Sequence, residues 1–123
     1  MIPYGRQWVD SSDVEAVTQA LLGDKLTTGD WIERFEQALS THTGGLPAAA
    51  LNSGTAALHA AYDAAGLCPG ATLVTSPLTF AATSNAALYL GARVIFADVS
   101  ADTGCLDPAA AEAAIAPAVS LIV

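Results

Sequence analysis

The sequence predicts an α/β fold with a mainly parallel sheet flanked by helices, and the order of its apolar runs and helical stretches supports this prediction. From Pro47 onward, short apolar runs bounded by Gly, Pro or Asp alternate with helical stretches. The runs are residues 48–51, 72–75, 93–97 and 119–123. Because strands separated by single helices connect as right-handed βαβ units, we expect the runs to lie side by side in one sheet.

A first helix is predicted over residues 13–22, before the sheet begins. Ser12 followed by Glu15 is a capping-box pattern, and Gly23 ends the helix. Its apolar face consists of Val14, Val17 and Leu21.

A second amphipathic helix follows the loop "GDKLTTG". Asp30 with Glu33 repeats the capping pattern, and the Gly44–Gly45 pair stops the helix. Its apolar face consists of Ile32, Phe35 and Leu39. Four charged residues are interpreted as solvated unless they contact a substrate or a subunit, namely Arg6 and, on this helix, Glu33, Arg34 and Glu36.

The last helix begins with Asp107 as N-cap and Pro108 at the first helical position, and it breaks at Pro117. The final apolar run follows at once. A parallel strand buried on both faces would ordinarily lead into further elements, so we expect this chain to be the beginning of a larger protein.

Composition restricts the classes of partner. The 12 acidic and 4 basic residues give a net charge of −8, which disfavours nucleic acid and anionic membranes. Cys68 and Cys105 are predicted to be free thiols in a reducing cytoplasm. The uncharged segment 64–92 contains Pro and Gly and is interpreted as buried rather than membrane-spanning. No leader peptide and no metal site are predicted.

The segment Asn52-Ser53-Gly54-Thr55 is the strongest candidate for a binding site. It follows the first predicted strand and opens a helix, so the N–H groups of Gly54, Thr55 and Ala56 are free to bind a phosphate. An equally good alternative is that Ser53 or Thr55 only caps the helix. The segment has neither the G-x-G-x-x-G nor the G-K-[ST] pattern, which disfavours dehydrogenases and P-loop kinases.

Two further residues follow predicted strands. Phe80 is placed in the first turn of the next helix, where its ring either stacks on a flat ligand or joins the core. Asp98 either orients a ligand or caps a turn. His59 is interpreted as a helix-face residue or a neighbour of the ligand ring, and His42 as a solvated residue.

The sequence as a whole resembles the DegT/StrS group, a family of pyridoxal-phosphate enzymes that aminate nucleotide sugars. The resemblance covers nearly all 123 residues. It rests on "IPYGRQWVD", "LTTGDWIERFEQAL", "ALNSGTAALHAAYDAAGL", "GATLVTSPLTFAATSNAALYLGARVIFADV" and "GCLDP", in this order. The opening "IPYGRQ" with "LTTG" is most similar to the branch that acts on a 4-keto-6-deoxy-N-acetylated UDP-sugar in pseudaminic acid synthesis.

The resemblance implies the organisation and the site residues. Residues 1–46 would form a helical segment with a substrate-side loop, and residues 47–123 the first part of an aspartate aminotransferase-like domain that binds pyridoxal phosphate. The residues that it implies for the cofactor phosphate are Ser53, Gly54, Thr55 and Ala56. Phe80 would lie against the pyridine ring. The residues that it implies for the sugar nucleotide are Tyr4, Leu26, Thr28 and Gly29, with Asn52 nearby.

The resemblance also implies a reaction, namely transfer of an amino group from L-glutamate to the 4-keto carbon of the sugar, by a homodimer. Lys25 is the only lysine in the chain. The family's Schiff-base lysine lies further along, beyond Val123, so these 123 residues alone are expected to be inactive.

Three alternatives stay open from the sequence. The first is another nucleotide-sugar aminotransferase, or a dehydratase, of the same family. The second is a truncated gene product without catalytic activity. The third is an unrelated phosphate-binding α/β module.

Overall fold

A computed structural model describes residues 5–115 and 119–123 of the chain. The chain divides into two compact units, Met1–Ala50 and Leu51–Val123. The first unit contains α1 (Ser11–Leu22) and α2 (Asp30–His42). The second contains α3 (Gly54–Ala64), β1 (Thr72–Thr75), α4 (Ala82–Tyr89), β2 (Arg93–Phe96), α5 (Pro108–Ala114) and β3 (Leu121–Ile122). The α/β prediction is therefore confirmed.

Helix α1 is capped by a different residue from the one predicted. Asp10, not Ser12, is the N-cap, and its carboxylate accepts hydrogen bonds from the backbone N–H groups of Ser12 at 2.8 Å and Asp13 at 3.2 Å. The Asp13 carboxylate accepts from the Asp10 N–H in return, at 2.9 Å. The predicted Ser12–Glu15 box is wrong because this reciprocal pair begins the helix earlier. Hydrogen bonds from Ser12 lower the pKa of Asp10.

Helix α2 begins without a side-chain cap. Its N-cap is Gly29, and Asp30 lies inside the first turn, so the predicted Asp30 cap is wrong. A carboxylate there still interacts favourably with the positive end of the helix dipole. The predicted stop is confirmed, since the helix ends at His42 and the two glycines that follow have φ of 73° and 89°.

The sheet has three parallel strands in the order β2-β1-β3. Leu73 pairs with Val94 on one side and with Leu121 on the other. The prediction for β1 is confirmed over its full length, whereas β2 and β3 are shorter than the predicted runs 93–97 and 119–123. A strand ends where its neighbour no longer offers backbone hydrogen bonds. The apolar pattern of the sequence does not show where that happens.

The first predicted strand is wrong. Residues 48–51 have no regular secondary structure. The backbone N–H of Ala50 donates to the Glu36 carboxylate at 2.8 Å, so it is not available to a strand ladder. A short apolar run extends the chain, but it becomes a strand only when a neighbouring strand offers hydrogen bonds.

Strand β1 is the centre of the core, and all four of its residues are buried. Side chains alternate across a strand, so Leu73 and Val74 face opposite sides of the sheet. Leu73 lies in a cluster with Tyr62 of α3 and Ala86 of α4. Val74 lies in a second cluster with Ala111 of α5. Helices therefore cover both faces of the central strand, as expected for a parallel sheet.

Tyr62 connects the two helices on the first face. Its side chain is buried, and its hydroxyl donates a hydrogen bond to the backbone oxygen of Thr83 at 3.2 Å. Burial raises the pKa of the Tyr62 phenol.

The last helix confirms the predicted start. Asp107 caps α5 by accepting from the Ala109 N–H at 2.9 Å, and Pro108 is the first helical residue. The helix ends at Ala114, and the predicted break at Pro117 lies outside the described residues. Within the described part of the chain, no helix is long and apolar enough to cross a membrane.

Candidate functional site

The polar segment at residues 52–55 leads directly into α3. Ser53 is the N-cap in an extended conformation, with φ −161° and ψ 157°. Its Oγ accepts a hydrogen bond from the Ala56 N–H at 3.2 Å, and its carbonyl accepts from the Ala57 N–H at 3.0 Å. The capping role of Ser53 is therefore confirmed. The prediction that the Ala56 N–H is free is wrong, because the cap uses that donor.

Two backbone donors remain at this end of α3. Within the described residues, the N–H groups of Gly54 and Thr55 have no hydrogen-bond acceptor. Gly54 is exposed, and a Cβ atom added to it would meet no atom within 4 Å. The N-terminal end of a helix also carries a partial positive charge. Capping and anion binding are thus compatible here, and the donors present suit a phosphate group.

Phe80 lies before a helix rather than in its first turn, so that part of the prediction is wrong. The carbonyl of Phe80 accepts a hydrogen bond from the Thr83 N–H at 3.0 Å and closes a turn. Because this turn comes first, helix α4 begins only at Ala82. The Phe80 side chain is 74% exposed. The alternative of a core residue is also wrong, and the ring is free to contact a ligand.

Asp98 caps its own turn. Its Oδ1 accepts from the Val99 N–H at 2.8 Å, and its carbonyl accepts from the Asp107 N–H at 2.9 Å. Phe80 and Asp98 follow β1 and β2, and because these strands are parallel, both residues come after the same edge of the sheet.

The predicted substrate-side loop, residues 26–29, lies in the unit Met1–Ala50. Leu26 and Gly29 line a cavity of about 220 Å³ between α1 and α2. A Cβ atom on Gly29 would lie 2.9 Å from the carbonyl oxygen of Lys25, so this close turn requires glycine. Thr28 has a φ of 53°, which is unusual for a residue with a side chain. Backbone strain of this kind is concentrated at active sites, ligand-binding loops and switch regions.

The histidines and the lysine are exposed. His59 contacts Tyr89 edge to face, with 5.7 Å between ring centroids. The Nδ1 atom of His42 lies 2.9 Å from the carbonyl oxygen of Ala38. Lys25 is an exposed loop residue, as predicted.

Glu36 is the residue that sequence reasoning missed. It was expected to be solvated, but it is half-buried and accepts the hydrogen bond from the Ala50 N–H. Glu36 comes four residues after Ile32 and three before Leu39, so helical spacing places it beside the apolar face of α2, and this signal could have suggested partial burial.

The structure brings only some of the predicted residues into one unit. Ser53 to Ala56 and Phe80 belong to the unit Leu51–Val123, although no hydrogen bond among the described residues joins them. The loop 26–29 belongs to the other unit, and Tyr4 lies outside the described residues.

Comparison with known proteins identifies the relatives of this chain. The model of the DegT/DnrJ/EryC1/StrS aminotransferase family matches residues 7–123. The chain belongs to this family. It is 48% identical, over 102 residues, to the UDP-4-amino-4,6-dideoxy-N-acetyl-beta-L-altrosamine transaminase of Campylobacter jejuni subsp. jejuni serotype O:23/36 (strain 81-176), and the match covers 83% of the chain.

Two solved structures have the same fold as this chain. PseC of Helicobacter pylori, an aminotransferase involved in the biosynthesis of pseudoaminic acid, gives a TM-score of 0.86 at 31% identity over 98% of this chain and 33% of its own. NtdA of Bacillus subtilis, with bound cofactor PMP, gives 0.82 at 34% identity over 93% of this chain and 27% of its own. The chain spans 27% of the Campylobacter relative. It therefore corresponds to only part of each relative.

Proposed function

We propose that the protein containing this chain transfers an amino group from L-glutamate to the 4-keto carbon of a UDP-linked 6-deoxy-N-acetyl sugar, with pyridoxal phosphate as cofactor. The observation that carries the proposal is the 48% identity to the Campylobacter UDP-sugar transaminase, in a chain that belongs to an aminotransferase family. The match to the Helicobacter aminotransferase supports the same class of substrate.

The donors at the start of α3 support the cofactor assignment. The free N–H groups of Gly54 and Thr55 would hold the phosphate, and the Ser53 cap would keep the helix end in place. Pyridoxal phosphate, when bound, supplies an electron sink that carries the amino group between donor and acceptor. The bound pyridoxamine form in the NtdA structure supports this choice of cofactor.

The residues of the first unit would contact the sugar nucleotide. We assign this role to Tyr4 and to Leu26, Thr28 and Gly29 of the loop before α2. Leu26 and Gly29 line a cavity, which supports the assignment because the loop offers a concave surface to a ligand. The lysine that holds the cofactor is proposed to lie outside these 123 residues, because Lys25 is an exposed loop residue. The assembly proposed for the whole protein is a homodimer.

Replacement of Phe80 by alanine is expected to weaken pyridoxal phosphate binding about fivefold, because an aromatic contact contributes roughly 0.5–1.5 kcal/mol. The 74% exposure of the ring means that the thermal unfolding temperature should hardly change. Leu78→Ala is the matched control, since Leu78 lies in the same loop at 68% exposure. Fluorescence titration with the cofactor measures both; equal affinity in the two variants would contradict a role for the ring.

The function itself is tested by incubating the whole protein that contains this chain, purified with its cofactor, with L-glutamate and a UDP-linked 4-keto-6-deoxy-N-acetyl hexose. We expect 2-oxoglutarate and the amino sugar in equal amounts, measured by coupled assay and mass spectrometry. The corresponding 4-hydroxy sugar is the control and should give neither product. Normal cofactor binding without any amino sugar, whichever amino donor is supplied, would overturn the proposal.

A further inference from the structure

Thr83, in the first turn of α4, forms hydrogen bonds through its N–H, its hydroxyl and its carbonyl. The N–H donates to the carbonyl of Phe80 at 3.0 Å. The hydroxyl oxygen lies 3.2 Å from the hydroxyl oxygen of Thr79, and the carbonyl oxygen accepts from the Tyr62 hydroxyl at 3.2 Å. Thr83 therefore joins the loop that carries Phe80 directly to α3, and all four residues belong to the unit Leu51–Val123.

The Phe80 ring depends on its backbone for its position. The ring is largely exposed, so neighbouring side chains do little to fix its direction. Ala81, the N-cap of α4, offers no side-chain hydrogen bond to the start of the helix. The two bonds from Thr83, one to the Phe80 carbonyl and one to the Thr79 hydroxyl, are therefore the contacts that tie this loop to α4.

The Tyr62 end of this network lies in the core. Tyr62 is buried in the cluster that contains Leu73 of β1 and Ala86 of α4, and water competes little for a hydrogen bond from a buried donor. Tyr62 also belongs to α3, the helix whose first residues, Gly54 and Thr55, offer free N–H groups. The bond to Thr83 thus connects the helix that would hold the cofactor phosphate with the turn that carries the aromatic ring.

We propose that the hydroxyls of Tyr62 and Thr83 are positioning groups for the Phe80 ring, and that they increase the affinity for the pyridine ring of pyridoxal phosphate without touching it. The proposal rests on the proposed cofactor site. Contact between flat rings requires a defined spacing and offset, so the backbone that carries Phe80 must be held in place. A turn that is ordered before the ligand arrives also loses less entropy on binding.

Each hydroxyl can be removed with little change in the shape of its side chain. Tyr62→Phe removes the donor to the Thr83 carbonyl, and Thr83→Val removes the bond to Thr79. In the whole protein that contains this chain, we expect each variant to bind pyridoxal phosphate about threefold more weakly, as for the loss of one hydrogen bond. Thr83→Ser keeps the hydroxyl and should bind like the wild type. Tyr89→Phe removes the hydroxyl of an exposed tyrosine on α4 and is the matched control, also without effect.

The same substitutions in a Phe80→Ala protein separate positioning from a general loss of stability. If the hydroxyls act through the ring, neither Tyr62→Phe nor Thr83→Val should weaken cofactor binding further once the ring is absent. Inorganic phosphate should bind the cofactor-free form of each variant as tightly as the wild type, because the donors at the start of α3 are unchanged. The Thr83 amide should exchange its hydrogen about threefold faster in Tyr62→Phe, while β1 keeps its protection.

Three results would overturn the inference. The first is wild-type cofactor affinity in both Tyr62→Phe and Thr83→Val. The second is an equal loss of affinity with and without the Phe80 ring, and the third is weaker binding of inorganic phosphate in either variant. A wild-type protein that binds no pyridoxal phosphate would instead overturn the proposed function.

Discussion

Replacing Gly54 by proline is expected to weaken pyridoxal phosphate binding by roughly 10- to 100-fold while the fold is retained. Proline deletes one of the two free N–H groups at the start of α3, and a hydrogen bond to a charged group contributes about 1.5–3 kcal/mol. Gly54 is the first helical residue after an extended Ser53, and this is the position where proline is tolerated best. Titration of the cofactor, followed by its absorbance, measures the loss.

Gly54→Ala is the control that isolates the N–H group. It adds the Cβ atom that proline also adds, it meets no atom within 4 Å, and it keeps the donor. We expect its cofactor affinity to fall only a few-fold, with a thermal unfolding temperature close to that of the wild type. If the alanine and proline variants bound the cofactor equally weakly, crowding by Cβ rather than loss of the donor would be the cause.

Replacing Leu73 by alanine is expected to reduce the free energy of unfolding by about 3–5 kcal/mol. Leu73 is completely buried in the central strand, and much of its cluster is alanine, including Ala71, Ala86 and Ala87. Alanine side chains cannot rotate to fill the space, so the cavity should persist, and the cost should lie at the upper end of the known range. Urea denaturation followed by far-ultraviolet circular dichroism measures the change.

The matched substitution is Leu88→Ala on α4, where the leucine is 56% exposed. Its effect should stay within about 0.5 kcal/mol, because little apolar surface becomes exposed and alanine is a good helix former. A loss of less than about 1 kcal/mol in Leu73→Ala would mean that the neighbouring helices collapse onto the vacated volume, contrary to a core held rigid by small residues.

The local sequence determined the features that depend on a few neighbouring residues. Strand β1 coincides with the predicted run 72–75, and α5 starts with the predicted Asp107 cap and Pro108. The Ser53 cap was predicted as one of two alternatives, and among residues 5–115 and 119–123 the N–H groups of Gly54 and Thr55 have no acceptor beside it. Capping, proline stereochemistry and continuous burial are short-range effects, so they can be recognised without knowing the fold.

Only the tertiary structure decided the features that depend on distant partners. The run at 48–51 is not a strand, because the N–H of Ala50 is satisfied by Glu36 rather than by a neighbouring strand. The exposure of Phe80 likewise depends on the turn that delays α4 to Ala82. The sequence pattern shows which groups are apolar or able to form hydrogen bonds, whereas the partner of each group depends on how segments far apart in the chain pack together.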